Sequence, residues 1–164
     1  MPPINEETLT LIRHSKPITP LSATQLFNSL PPVPASSLLG SWTGTCALTN
    51  HPGTEALADV RWIGKDFHSF EDVDPIIVSP PDAGGSGKRV VNSFMGKARV
   101  WEIKYNGVVS AAMIYNDKPI IDYFRRVDKR TVMGVMDSLG DAADHGLFFI
   151  LERFEGRDGM GRKL

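Results

Sequence analysis

Leu38-Leu39-Gly40-Ser41-Trp42-Thr43-Gly44-Thr45 is the stretch on which the reading of this chain turns. It is apolar on entry, alternates through Trp42, and flanks that one aromatic with two glycines. Glycine weakens a strand interior, so a pair of them marks a bulge, a tight bend or a close backbone approach. A buried indole is large and needs a partner for its N–H. Together these features predict a first strand whose Trp42 plugs the end of a closed or strongly bent sheet.

Downstream of this strand the pattern is a meander. Strand-like runs occupy roughly residues 98–105, 107–116, 118–127, 130–137 and 146–154. Asn106-Gly107 suits a type I′ hairpin turn, and Asn116-Asp117 and Asp128-Lys129 suit the next two joins. A spacing of about ten residues argues for an antiparallel sandwich or barrel rather than βαβ units. Closure removes exposed edges, which favours a barrel. The run Leu147-Phe148-Phe149-Ile150-Leu151 is apolar on both faces, so something outside the wall is expected to cover it. Residues 137–144 before it read as a short helix or a loop.

Closer to the opening stretch, His51-Pro52-Gly53 reads as a surface turn and Thr54 to Ala58 as one helical turn. Arg61 to Phe70 is strand-like with Trp62 and Phe67 as anchors, and Ile76-Ile77-Val78 is β-branched. Pro80 to Gly87 holds three glycines and two prolines and is either a lid or a plain surface loop. Upstream, residues 1–20 form an arm in which Glu6 to His14 can turn as a short helix on Leu9 and Ile12 before Pro17 and Pro20 stop it. Residues 21–31 read as a helix covering one opening of the barrel. Ser22 with Gln25 matches a capping box, Leu21 with Leu26 a hydrophobic staple, and Pro31-Pro32 the stop.

Composition sets the outer bounds. The 164 residues are most simply one domain, and a net charge of −1 provides no field for phosphates, so no nucleic-acid partner is expected. Basic residues are scattered apart from Arg157 and Arg162-Lys163 near the C-terminus, a tail expected to fray. The single cysteine, Cys46, excludes an internal disulfide framework and fits a reducing compartment. Met1-Pro2-Pro3-Ile4-Asn5-Glu6-Glu7 has neither the basic region nor the apolar run of a signal peptide. No apolar stretch approaches the ~20 residues of a membrane span. A cytoplasmic location is expected, and a homodimer is left open.

Gly40-x-Trp42-x-Gly44 resembles the signature of the GXWXG family, small proteins that pair this segment with a second domain of unknown function. The resemblance extends to Leu26-Phe27-Asn28-Ser29-Leu30-Pro31-Pro32 and Trp62-Ile63-Gly64-Lys65-Asp66-Phe67. It continues through Met113-Ile114-Tyr115-Asn116-Asp117-Lys118-Pro119-Ile120-Ile121-Asp122 and Met133-Gly134-Val135-Met136-Asp137, covering roughly residues 22 to 154. It implies a mainly β, single antiparallel, lipocalin-like β-barrel, with a GXWXG half over 37–79 and a meander half over 90–154. Two departures are visible: Asn116 stands where relatives tend to carry Asp, and Tyr123 where they often carry His. The family has no general assigned activity.

Period-two alternation sorts the candidate site residues. In the run 118–127 one face carries Ile120, Asp122, Phe124 and Arg126, the other Ile121, Tyr123, Arg125 and Val127. Either assignment puts a charge on the core side, where it is costly unless paired. The neighbouring runs add Met113 and Tyr115 on one face, and Arg99, Trp101 and Tyr105 on another. A mostly apolar cavity with a few convergent polar groups is the usual design of a small-molecule site. On that reading Asp122 is the proton-transfer or orienting carboxylate, with Tyr123 and an arginine, Arg125 or Arg126, completing the catalytic set. Trp42, Trp62, Phe67, His68, Trp101, Met113, Tyr115, Phe124, Met133 and Phe149 supply the ligand-binding walls. The competing structural reading makes Arg125 or Arg126 a clamp over the Trp of the first strand, through cation–π and carbonyl contacts.

His14, His51, His68 and His145 show no metal spacing, and no metal or cofactor is expected. Gly84-Gly85-Ser86-Gly87-Lys88 lacks the phosphate-loop spacing, since position 82 is Asp. Two classes of function remain. One is a cofactor-independent isomerase, lyase or cyclase acting on a hydrophobic metabolite. The other is a non-catalytic carrier or sensor of a lipid, fatty acid or haem, with His51 or His68 as an axial ligand.

Overall fold

Trp42 sits at the centre of strand β1 (Gly40–Cys46) in a computed structural model that describes residues 5–141 and 143–156. Strand β1 pairs on one side with β2 (Trp62–Ser69) and on the other with the last strand, β9 (Leu147–Arg153). Between them run β3 (Asp72–Val78), the two-residue β4 (Val90–Val91), β5 (Ala98–Tyr105), β6 (Val108–Tyr115), β7 (Ile120–Asp128) and β8 (Thr131–Ser138). The order β1-β2-β3-β5-β6-β7-β8-β9 returns to β1, so eight antiparallel strands close a barrel and β4 adds a short rung on β3. Closure leaves no long edge to pair with other chains. The β3–β5 seam is thin, with Val73 opposite Ala98 as its registered pair.

Each motif glycine has a physical reason. Gly40 has φ +116°, a conformation that side chains rarely adopt, and a Cβ there would meet the Arg153 guanidinium. At Gly44 a Cβ would occupy the space taken by the Trp62 ring. Trp42 between them is fully buried and donates its indole N–H to the Leu38 carbonyl at 2.7 Å. Arg153 lies 4.1 Å over its ring and donates to the Leu39 and Ser37 carbonyls. The clamp over the first-strand Trp is therefore Arg153, not Arg125 or Arg126.

Two apolar layers follow from the alternation. Inside the barrel, Leu38, Trp42, Phe67, Met113, Phe124, Phe149 and Leu151 form one core. Outside it, helix α1 (Glu6–Arg13) and helix α2 (Pro20–Ser29) lay Leu9, Ile12, Leu26 and Phe27 on Met133, Val135, Phe148 and Ile150. This is why β9 is apolar on both faces. The N-terminal arm is thus a built part of the wall from Glu6 onward; residues 1–4 and the Arg157–Lys163 tail lie outside the described residues.

Helix α2 starts earlier than the capping box predicts. Thr19 is its N-cap, accepting from the Ser22 N–H at 3.0 Å, with Pro20 in the first turn. Leu21 is 66 % exposed and forms no staple. Beyond α2, the β6–β7 ladder stops at Ala112 opposite Tyr123, and Pro31 to Val33 fill the gap. The Val33 carbonyl accepts from Ala111 N–H at 2.8 Å, and the Pro31 carbonyl from Arg126 N–H at 2.9 Å. A 3-10 turn (Ala35–Leu38) then closes that end of the barrel beneath Trp42. At the other end, helix α3 (Pro52–Asp59) places Leu57 against the inner core. The Asn106-Gly107 turn has both residues at positive φ, +51° and +80°, as a type I′ hairpin requires.

Candidate functional site

Strand β7 turns Ile120, Asp122 and Phe124 into the barrel and Tyr123, Arg125 and Val127 out of it. Asp122 is 1 % exposed, and its charge partner is a lysine: Lys65 Nζ stands 3.3 Å from Asp122 Oδ2. Lys65 is itself 3 % exposed and shares its face of β2 with Phe67. Register shifts in β2 between Trp62, Gly64 and Asp66 let Trp62 and Lys65 both turn inward despite the odd spacing between them. Gly64 is needed there, since a Cβ would collide with the Trp42 carbonyl.

The ammonium group is enclosed by rings and one carbonyl. Its nitrogen lies 5.4 Å from the Trp62 ring centre, 5.2 Å from that of Phe149 and 5.9 Å from that of Tyr115. It donates to the Pro75 carbonyl at 3.2 Å, which also accepts the Trp62 indole N–H at 3.3 Å. Asp122 Oδ1 is buried and has no hydrogen-bond partner among the described residues. Burial pushes the Asp122 carboxyl above its ordinary range, and Lys65 pulls it back part of the way. The Tyr115 phenol is raised by burial and then by the Asp122 charge. Cys46 lies close enough for Lys65 to act on it, yet burial dominates and drives the thiol up to about 11.

Of the residues singled out by sequence, Asp122, Trp42, Trp62, Phe67, Met113, Tyr115, Phe124 and Phe149 come together on the barrel's inner side. Phe149 sits edge-on to both Trp62 and Phe124, with ring centres 6.0 and 5.9 Å away. The others are elsewhere. Tyr123 stacks on Tyr105 outside the wall, centroids 3.8 Å apart. Arg125 is buried beneath α2, over the Phe27 ring and donating to the Phe27 and Leu30 carbonyls, where it caps the helix end. Arg126 reaches the end of the barrel and donates to Ser37 Oγ. Met133 fills the outer core under the helices, and Trp101 is 58 % exposed on the outer face.

His68 also points outward, because it alternates with Phe67, and pairs with Asp74 at 2.8 Å. His51 is buried rather than on the surface. Its Nδ1 accepts the Gly53 N–H at the start of α3, and its Nε2 faces Asp141 at 2.8 Å, so both nitrogens are engaged. Neither histidine is placed to ligate a haem inside the barrel. His145 joins Thr49 at 3.0 Å and Asp144 at 2.9 Å. Among the described residues no cluster of three or more His, Cys, Asp or Glu is spaced to hold a metal ion. Clefts of about 670 and 630 Å³ flank this histidine region, one beside Ile18 and Pro52, the other beside Ile121 and Leu139; both open outside the wall.

Lys65 is the residue that sequence reasoning missed. The signal was available: it stands two residues before Phe67, an inward anchor, and so shares its face.

A closed eight-stranded antiparallel barrel with an arginine clamped over the first-strand tryptophan defines a lipocalin-like barrel protein. The family described as "GXWXG protein" matches residues 25–82, and "Domain of unknown function (DUF4334)" matches residues 96–153. A crystal structure of a protein from Thermomonospora curvata is similar at 32% identity with a TM-score of 0.81, covering 91% of this chain and 97% of that one. The chain belongs to the family that joins a GXWXG segment to DUF4334, and the two matched segments build one barrel. No curated protein matches it. No helix among the described residues is long and apolar enough to cross a membrane.

Proposed function

We propose that the barrel takes an apolar small molecule bearing one polar group and moves a proton on it, as a cofactor-independent isomerase, lyase or cyclase. The observation that carries this reading is Asp122 Oδ1, a buried carboxylate oxygen with no partner among the described residues, beside a buried ammonium. Buried polar atoms are nearly always satisfied, and the exceptions call for an explanation such as catalysis or an absent ligand. A buried ion pair is also a poor stabiliser, since desolvation offsets its Coulomb gain. Perturbed carboxylates held in apolar surroundings are the common equipment of acid–base sites. The walls around the pair are Trp62, Phe149, Tyr115 and Met113. Flat rings and a flexible thioether suit an apolar guest. Passive carriage of a lipid needs no such pair.

The test is fluorescence titration with N-phenyl-1-naphthylamine, an apolar probe carrying one N–H donor, supported by native mass spectrometry of the purified protein. Binding in the low micromolar range, about −8 kcal/mol, is expected, weakened by Phe149→Ala. No binding at probe concentrations of about 100 μM would overturn the reading.

A further inference from the structure

We infer that the polar group Lys65 and Asp122 are arranged to handle is a ketone with a C–H beside its carbonyl, and that the pair interconverts its keto and enolate forms. This rests on the reading that the barrel takes an apolar small molecule. An ammonium has three N–H groups. Lys65 faces one acceptor at Asp122 Oδ2 and another at the Pro75 carbonyl, so at least one N–H has no acceptor among the described residues. Asp122 Oδ1 is an acceptor without a donor among the described residues. One spare donor and one spare acceptor therefore lie side by side in an aromatic enclosure.

A carbonyl oxygen satisfies the spare N–H, and a group that yields a proton satisfies Oδ1. In a ketone both come from one unit. The ammonium polarises the C=O, which acidifies the neighbouring C–H, and that hydrogen faces the carboxylate. Asp122 Oδ1 takes the proton; the C–H electron pair becomes the C=C bond, and the carbonyl π pair moves onto oxygen, where Lys65 holds the enolate charge. Asp122 then returns the proton, to the same carbon or, in a β,γ-unsaturated ketone, to the γ carbon, shifting the double bond. Proton and electrons balance without oxidant, reductant or co-reactant. Burial that makes the carboxylate a better base works in the same direction.

Two other substrate classes fit less well. A fatty-acid carboxylate would add a second anion beside Asp122, which like-charge repulsion disfavours. Imine formation would draw the Lys65 nitrogen away from Asp122 Oδ2 and the Pro75 carbonyl and leave further buried acceptors unpartnered.

The experiment uses β-tetralone, an apolar bicyclic ketone, in D₂O, following loss of its α-proton signal by proton NMR. The intact chain should speed exchange roughly 100-fold over buffer at the same pD, the usual span for a positioned general base. Asp122→Asn should abolish the enhancement and Lys65→Met should reduce it. Because either single change leaves a buried partner unpaired, the decisive comparator is the Lys65→Met/Asp122→Leu double variant. It replaces the pair with apolar side chains of similar size and should fold, bind N-phenyl-1-naphthylamine about tenfold more weakly than the parent, and exchange at the buffer rate. Exchange by the intact chain no faster than buffer, with probe binding intact, overturns this inference and leaves the small-molecule reading standing. Absence of both overturns the two together. Equal exchange in the double variant also overturns it, since the proton would then move elsewhere.

Discussion

Lys65 Nζ stands 3.3 Å from Asp122 Oδ2, both side chains out of water, with the rings of Trp62, Tyr115 and Phe149 around them. The two residues come from opposite halves of the chain, Lys65 from the GXWXG segment and Asp122 from DUF4334. The barrel's closure is what brings them together.

Removing one partner of this pair should cost far more than removing both. Lys65→Met or Asp122→Asn alone leaves an uncompensated buried group and is expected to cost about 3–5 kcal/mol. The Lys65→Met/Asp122→Leu double variant should come within about 1 kcal/mol of the parent or exceed it. Urea titrations of the four proteins complete the cycle, and a double variant as unstable as the sum of the singles would show that the two side chains are not coupled.

The Trp42 plug should govern stability. Trp42→Ala is expected to cost about 3–5 kcal/mol, the usual range for a buried aromatic. Gly44→Val should cost about 1–3 kcal/mol by displacing the Trp62 ring that occupies the space of its Cβ. Both are read from denaturant midpoints, and a loss below ~1 kcal/mol for Trp42→Ala would show that the barrel end is not organised there.

The Asp122 carboxyl should leave a signature in stability against pH. Its folded value is raised above the ordinary 3.8 by burial, against the pull of Lys65. The folded chain therefore binds this proton more tightly than the unfolded chain. Its stabilising contribution is complete below the unfolded value and is lost as pH rises through the folded one. Unfolding free energy of the parent, measured relative to the double variant, should fall on going upward from about pH 3 and then level off. A rise over the same window would mean that Lys65 dominates and holds the carboxyl below its ordinary range.

Cys46 should be inert. Burial pushes its thiol up to about 11, so little thiolate exists at neutral pH. Labelling by a disulfide reagent at about pH 8 should be slow in the folded chain and fast in urea; immediate reaction without denaturant would contradict the placement.

Much of the fold was legible because antiparallel barrels write themselves in short-range signals. The Asn106-Gly107 turn, the alternation through β5 to β9 and the doubly apolar β9 all depend on neighbours in sequence. The site was half legible. Asp122 declared itself as a charge in a strand whose either face meets a core, but its partner is 57 residues away across the barrel, and an ion pair leaves no local pattern. Arg125 and Arg126 suggested themselves because they share the strand of Asp122, yet one ends on backbone carbonyls and the other on a turn hydroxyl. His68 and Trp101 were lost to parity: one residue of register decides inside from outside, and that register is set by strand closure.

The claim that the Lys65–Asp122 pair serves a ligand rather than the fold is tested most directly by one titration. N-phenyl-1-naphthylamine is added to the parent and to the Lys65→Met/Asp122→Leu variant, both shown to be folded. The variant is expected to bind about tenfold more weakly, the loss of one buried hydrogen bond to Asp122 Oδ1, while matching the parent in stability. Equal affinity in the two proteins would contradict it.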